Sequence, residues 1–95
     1  METFDIRQED GETGGRYVTV LDSHEAEMTY SKAGTSRIII DHTGVPKALG
    51  GRGVGVALVQ RAVEDARAAG LKIIPLCPFA KAQIQKHKEW QDVLA

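Results

Sequence analysis

Aromatic residues are scarce: two Tyr, two Phe and one Trp, 5% of a 95-residue chain. Single-stranded nucleic acid is held on stacked aromatic side chains, and this composition offers little of that. Positive charge is not in excess either. Twelve Lys and Arg stand against 13 Asp and Glu, for a formal net charge of −1. A duplex binder needs a basic stripe to neutralise phosphates, so no nucleic-acid partner is expected. The single cysteine, Cys77, excludes an intrachain disulfide and a cysteine metal cluster. A reducing, cytoplasmic setting is the expectation that follows. No apolar run approaches the roughly 18 residues that would span a membrane. The segment Met1–Asp5 has neither the basic nor the apolar region of a secretion signal. Repeats, low-complexity tracts and linkers are also missing.

What remains is 42% hydrophobic and 26% charged residues, the profile of one soluble globular domain spanning 1–95. Residues 1–15 are polar and rich in turn formers, with room for a short edge strand at Phe4–Ile6. Arg16–Leu21 alternates as a strand, and Asp22-Ser23-His24 makes a turn. In Glu25–Ser31 the residues Ala26, Met28 and Tyr30 share one face, the period of a half-buried strand. Lys32–Thr35 closes a hairpin onto a third strand, Ser36–His42. Simple alternation there puts Ile38, Ile40 and His42 on one face.

The spacing of Val54, Leu58, Ala62, Ala66 and Ala69 predicts a helix over 53–69, stopped by Gly70. Leu71–Cys77 reads as a short buried strand in which Pro75 marks an edge, bulge or splay. A second amphipathic helix runs over 78–87, and the tail packs Trp90 and Leu94 back on the body. The helix over 53–69 is then a crossover, expected to be right-handed between parallel strands. The order of elements gives an α+β class: a mostly antiparallel sheet flanked by two helices.

The chemistry concentrates in Gly50-Gly51-Arg52-Gly53-Val54-Gly55, placed between a strand and a helix start. Backbone N–H groups and the positive helix end suit such a loop to an anion, most often a phosphate. The dinucleotide pattern fails because Val56 stands where its third glycine belongs, and no Lys-Ser/Thr pair follows Gly55 for a Walker loop. A plain turn needing positive φ is the competing reading, although four glycines in six residues are costly in chain entropy for a turn. Cys77 precedes a helix start, which favours a thiolate; a small buried hydrophobe is the other reading. His42 ends a strand, either as a general base or as a cap bonded to backbone. Asp41-His42 is too small a cluster for a metal.

Three blocks carry a resemblance: His42-Thr43-Gly44-Val45-Pro46, Leu49–Val59 around the glycines, and Pro75-Leu76-Cys77-Pro78-Phe79. Their order and spacing resemble the small single-domain GNAT acetyltransferases over some two thirds of the chain, from about Tyr30 onward. The resemblance implies acetyl-CoA as cosubstrate, with the pyrophosphate on Gly50, Gly51, Arg52, Gly53, Val54 and Gly55. It implies Cys77 and His42 near the acyl group, and an amine acceptor that is a small molecule, protein or peptide. Lys81, Lys86, His87 and Lys88 are candidates for the 3′-phosphate of CoA, His87 foremost as a cofactor contact, and a solvated basic face is the other reading for most of them. The chain departs from the family pattern at Gly50, Gly44, Gln83 and Lys88. The first departure leaves Arg52 to replace a basic residue, and Gln83 removes an aromatic common in the second helix. A monomer or weak homodimer is expected, and a non-catalytic CoA-binding module is the alternative to an enzyme.

Overall fold

A computed structural model describes residues 3–95. Five strands form one sheet in chain order: β1 (Arg7–Asp10), β2 (Gly14–Leu21), β3 (His24–Ala33), β4 (Arg37–Gly44) and β5 (Lys72–Pro75). The first three pairings are antiparallel and β4–β5 is parallel. Helix α1 (Val54–Ala69) makes the crossover between β4 and β5, and α2 (Pro78–Lys86) follows β5. Two 3₁₀ segments, Lys47–Leu49 and Lys88–Val93, complete the order.

The hydrophobic periodicity explains these elements. Ala26, Met28 and Tyr30 of β3 are buried, as are Ile38 and Ile40 of β4. They meet Leu58, Val59, Ala62, Val63 and Ala66 of α1 and Ala80 and Ile84 of α2 in one core. Gly70 ends α1 in the left-handed region at φ 71°, its N–H bonded to Ala66 and Arg67 carbonyls. The tail closes the other edge: Trp90 is buried, Leu94 bridges Ile73, and the Ala95 N–H donates to the Ile73 carbonyl at 3.0 Å. Pro75 is the last residue of β5, paired with Ile40, where its missing N–H breaks no further ladder.

Two expectations need correction. The edge strand is Arg7–Asp10 rather than Phe4–Ile6. Phe4 and Ile6 pack against the core instead, and the Ile6 carbonyl accepts from Arg61 at 2.8 Å. The second concerns β4. Tyr30 pairs with Ile40 but Thr29 pairs with His42, so Asp41 is one extra residue in the strand. This β-bulge reverses the alternation beyond it. Thr43, paired with the buried Met28, takes the core-facing side, and His42 moves to the exposed outer face. The Ser31 hydroxyl donates to the bulged Asp41 carboxylate at 2.6 Å on that outer side.

Candidate functional site

The chain leaves β4 at Gly44, passes the 3₁₀ turn and enters the glycine loop. Gly51 (φ 77°) and Gly53 (φ 79°) occupy the left-handed region, which an L side chain adopts only with strain. An added Cβ at either position would meet nothing within 4 Å, so the face of the loop is open. Gly55 is needed for a different reason. A Cβ there would stand 2.8 Å from the Phe79 ring, so its absence lets α2 close over the first turn of α1. Gly50 is unlike the others: its backbone is extended and its N–H is committed to the Lys47 carbonyl at 3.0 Å.

Gly53 is the N-cap of α1 and brings no capping side chain, and no acidic residue lies in the first turn. The first intrahelical bond runs from Ala57 N–H to the Gly53 carbonyl at 3.0 Å. The N–H groups of Val54, Gly55 and Val56 therefore precede the helical ladder, with the positive end of the dipole behind them. They border a groove of about 470 Å³ whose walls include Val45, Lys47, Gly51, Gly53 and Phe79. The groove therefore combines backbone N–H groups at a helix start, a cation at Lys47 and apolar walls. Arg52 leans across the loop to Asp22 in the β2–β3 turn, Nη1 to Oδ2 at 2.6 Å.

Cys77 occupies the N-cap position of α2, with Pro78 in the first turn. Its backbone N–H donates to the Ile40 carbonyl at 3.0 Å, which ties it to β4. The thiol is buried, and Sγ lies 3.4 Å from the Thr43 hydroxyl. Burial pushes the thiol pKa up, but the Thr43 hydroxyl and the backbone N–H groups of Ala80, Phe79 and Thr43 outweigh it and hold the net shift below the ordinary value. Those helix N–H groups fall short of full cap hydrogen bonds, so their effect is that of nearby positive dipoles.

His42 and Cys77 end neighbouring strands, but they do not meet. Among the described residues no hydrogen bond joins them, and the bulge sends the imidazole to the face opposite Thr43 and Sγ. A Cβ at Gly44 would stand 3.4 Å from His42 Nε2, because both positions share that outer face. His87 is drawn inward instead of lying on a basic surface. Its ring stacks on Trp90 at 3.9 Å and 16°, and Nδ1 meets the Gln83 carbonyl at 2.8 Å. It is not part of the groove wall.

Sequence reasoning gave no role to Thr43, Lys47, Asp22 or Phe79. Thr43 and Phe79 lay inside two of the quoted blocks, the only signal that could have marked them. A second cavity, of about 490 Å³, opens at the far end of α1 between Tyr17, Tyr30, Asp10, Asp65 and Arg61. Although slightly larger, it is lined by groups that satisfy one another. Tyr17 donates to Asp65 at 2.9 Å, Arg61 to Asp65 at 3.1 Å, Tyr30 to Asp10, and Lys32 to Asp10 at 3.0 Å. Among the described residues, no buried side-chain nitrogen or oxygen is left without a hydrogen-bond partner.

Among the described residues, no helix is long and apolar enough to cross a membrane, and no group of three or more His, Cys, Asp or Glu gathers to hold a metal. No protein with a curated description matches the chain. The NMR solution structure of a GCN5-like protein from Staphylococcus aureus is similar at a TM-score of 0.74 and 40% identity, over all of this chain and 91% of that one. The family model for GCN5-related N-acetyl-transferases matches residues 16–93, from the second strand through the tail that covers the sheet edge. The glycine loop at the head of the crossover helix thus lies wholly within the matched region, and the chain belongs to the GCN5-related N-acetyltransferase family.

Proposed function

We propose that this chain transfers an acetyl group from acetyl-CoA to a primary amine, carried by a small molecule or by a protein or peptide. The observation that carries this reading is the contact of Phe79 with Gly55. Phe79, in the first turn of α2 and two residues after Cys77, thereby lines the same groove as the open N-terminus of α1. The N–H groups of the first turn of α1, with Gly51, Gly53, Lys47 and Arg52, would hold the pyrophosphate. Acetyl-CoA, when bound, supplies an activated acyl thioester with a thiolate leaving group. Cys77 accepts the acyl carbon at Sγ, its thiolate form favoured by Thr43 and by α2 rather than by a histidine. The amine attacks the acetyl carbon on the Cys77 side, and the C–S bond breaks to return Sγ as thiolate. The ammonium proton passes to solvent, because His42 faces the other side of β4 and is out of reach of that proton.

Mass spectrometry after acetyl-CoA treatment tests this. An acetyl adduct is expected on the wild-type protein and is absent from Cys77→Ala. Acetylation of an amine at wild-type rate by Cys77→Ala would overturn the covalent route in favour of direct attack. One observation favours a second reading. Only Gly11–Thr13 separate β1 from β2, so nothing between them encloses an acceptor pocket. CoA binding without turnover across a broad amine panel would select a non-catalytic CoA-binding module.

A further inference from the structure

Asp22 lies 30 residues before Arg52 and in a different element, yet its carboxylate reaches the glycine loop. The turn that carries it does not depend on that ion pair. Asp22 (φ 51°) and Ser23 (φ 64°) form a two-residue hairpin turn between the paired residues Leu21 and His24. Two positive φ values are the geometry that asparagine and aspartate tolerate best among residues with side chains. The partners differ in exposure: the Arg52 side chain is 32% exposed and that of Asp22 is 70% exposed. The guanidinium is the settled member, and the carboxylate is the one that can swing into water.

We propose that Asp22 is a built-in competitor for the cofactor site: its carboxylate pairs with Arg52 in the free protein and gives way when the pyrophosphate binds. The proposal rests on the reading of the loop as a CoA site. A carboxylate and a pyrophosphate oxygen ask the same thing of a guanidinium, a planar pair of N–H donors and a positive charge. Binding therefore exchanges one ion pair for another instead of adding one. The consequence is a weaker but less salt-sensitive affinity, because salt loosens the internal pair as it screens the external one.

Calorimetric titration with CoA tests the exchange in wild type, Asp22→Asn, Arg52→Gln and the double variant, at low and high salt. Asparagine suits the turn and removes only the charge. Asp22→Asn is expected to bind CoA two- to fivefold more tightly at low salt, the range that an exposed ion pair spans. The gain should vanish in the Arg52→Gln background and at high salt. Binding by wild type with no gain in Asp22→Asn, or a gain that persists without Arg52, overturns the exchange alone. No binding by any of the four proteins overturns both the exchange and the CoA reading. A second measurement needs no variant: the carboxyl carbon resonance of Asp22 should move as CoA is added to the wild-type protein, and a fixed resonance at saturation would also overturn the exchange.

Discussion

Burial by itself would keep the Cys77 thiol protonated, and a protonated thiol is a poor nucleophile. The largest opposing group is the Thr43 hydroxyl, ahead of the backbone N–H groups of Ala80, Phe79 and Thr43. Thr43 reaches Sγ only because one extra residue in β4 turns its side chain toward the core, beside Met28. Replacing Thr43 by Val keeps the shape and deletes the donor to the thiolate. The thiol pKa should then move up, since burial is left opposed only by backbone N–H groups. The alkylation rate against pH should shift to higher pH, and alkylation at neutral pH should slow roughly two- to tenfold, the worth of one hydrogen bond. Thr43→Ser retains the donor and should restore the profile. If Val and Thr give the same profile, the hydroxyl has no part in activating the thiol.

At the scale of elements, the tail that follows α2 is fastened to α1 by one guanidinium. Arg67 makes two parallel bonds to the Asp92 carboxylate, at 2.8 and 2.7 Å, and a third to the Glu89 carbonyl at 2.7 Å. The Arg67 hydrogen bond holds the Asp92 carboxyl below its ordinary 3.8, with desolvation working the other way. A carboxylate whose pKa is depressed by folding adds stability above the unfolded value and loses it as pH falls through the folded one. Wild-type Tm should therefore drop on acidification below about pH 4. Asp92→Asn should be less stable at neutral pH and show a shallower acid limb. The limb will not flatten completely, because Glu9 and Asp10 are also held low, by Arg16 and by Tyr30 with Lys32. An unchanged limb in Asp92→Asn would show that the clamp does not couple to folding.

The same scale decides what a sequence can reveal. Helix α1 was legible because its apolar residues recur every three to four positions and Gly70 marks its end. Strand β3 was legible because Ala26, Met28 and Tyr30 alternate with polar residues. The bulge at Asp41 was not, since a local alternation carries no record of where the partner strand slips by a residue. His42 consequently landed on the wrong face, and Thr43 went unassigned. β1 was displaced for a similar reason. Phe4 and Ile6 carry the local strand signal, but the core takes their side chains and leaves pairing to the exposed run Arg7–Asp10. The glycine loop was readable as an anion site, whereas the demand of Phe79 on Gly55 comes from an element 24 residues further on.

For the whole molecule, size sets the final expectation. The Cα radius of gyration is 12.5 Å, close to the ~13 Å of a well-packed domain of about 100 residues. Small domains bury a low fraction of their surface and have little stability to spare. The groove adds an opening at one end of α1, and Gly51 and Gly53 are ordered at an entropic cost that no side chain there offsets. A ligand that binds only the folded state should therefore be felt strongly. CoA at about 100 times its Kd contributes roughly 2.7 kcal/mol. In a domain of this size each kcal/mol moves Tm by about 4–8 °C, so a rise of roughly 10–20 °C is expected. Gly53→Ala should lower the Tm of the free protein, because a side chain at φ 79° costs about 1–2 kcal/mol. The same variant should also shrink the rise on adding CoA, because the strained N-cap misaligns the first N–H groups of α1. A full CoA-induced rise in Gly53→Ala would mean that the cofactor is held elsewhere than at the head of this helix.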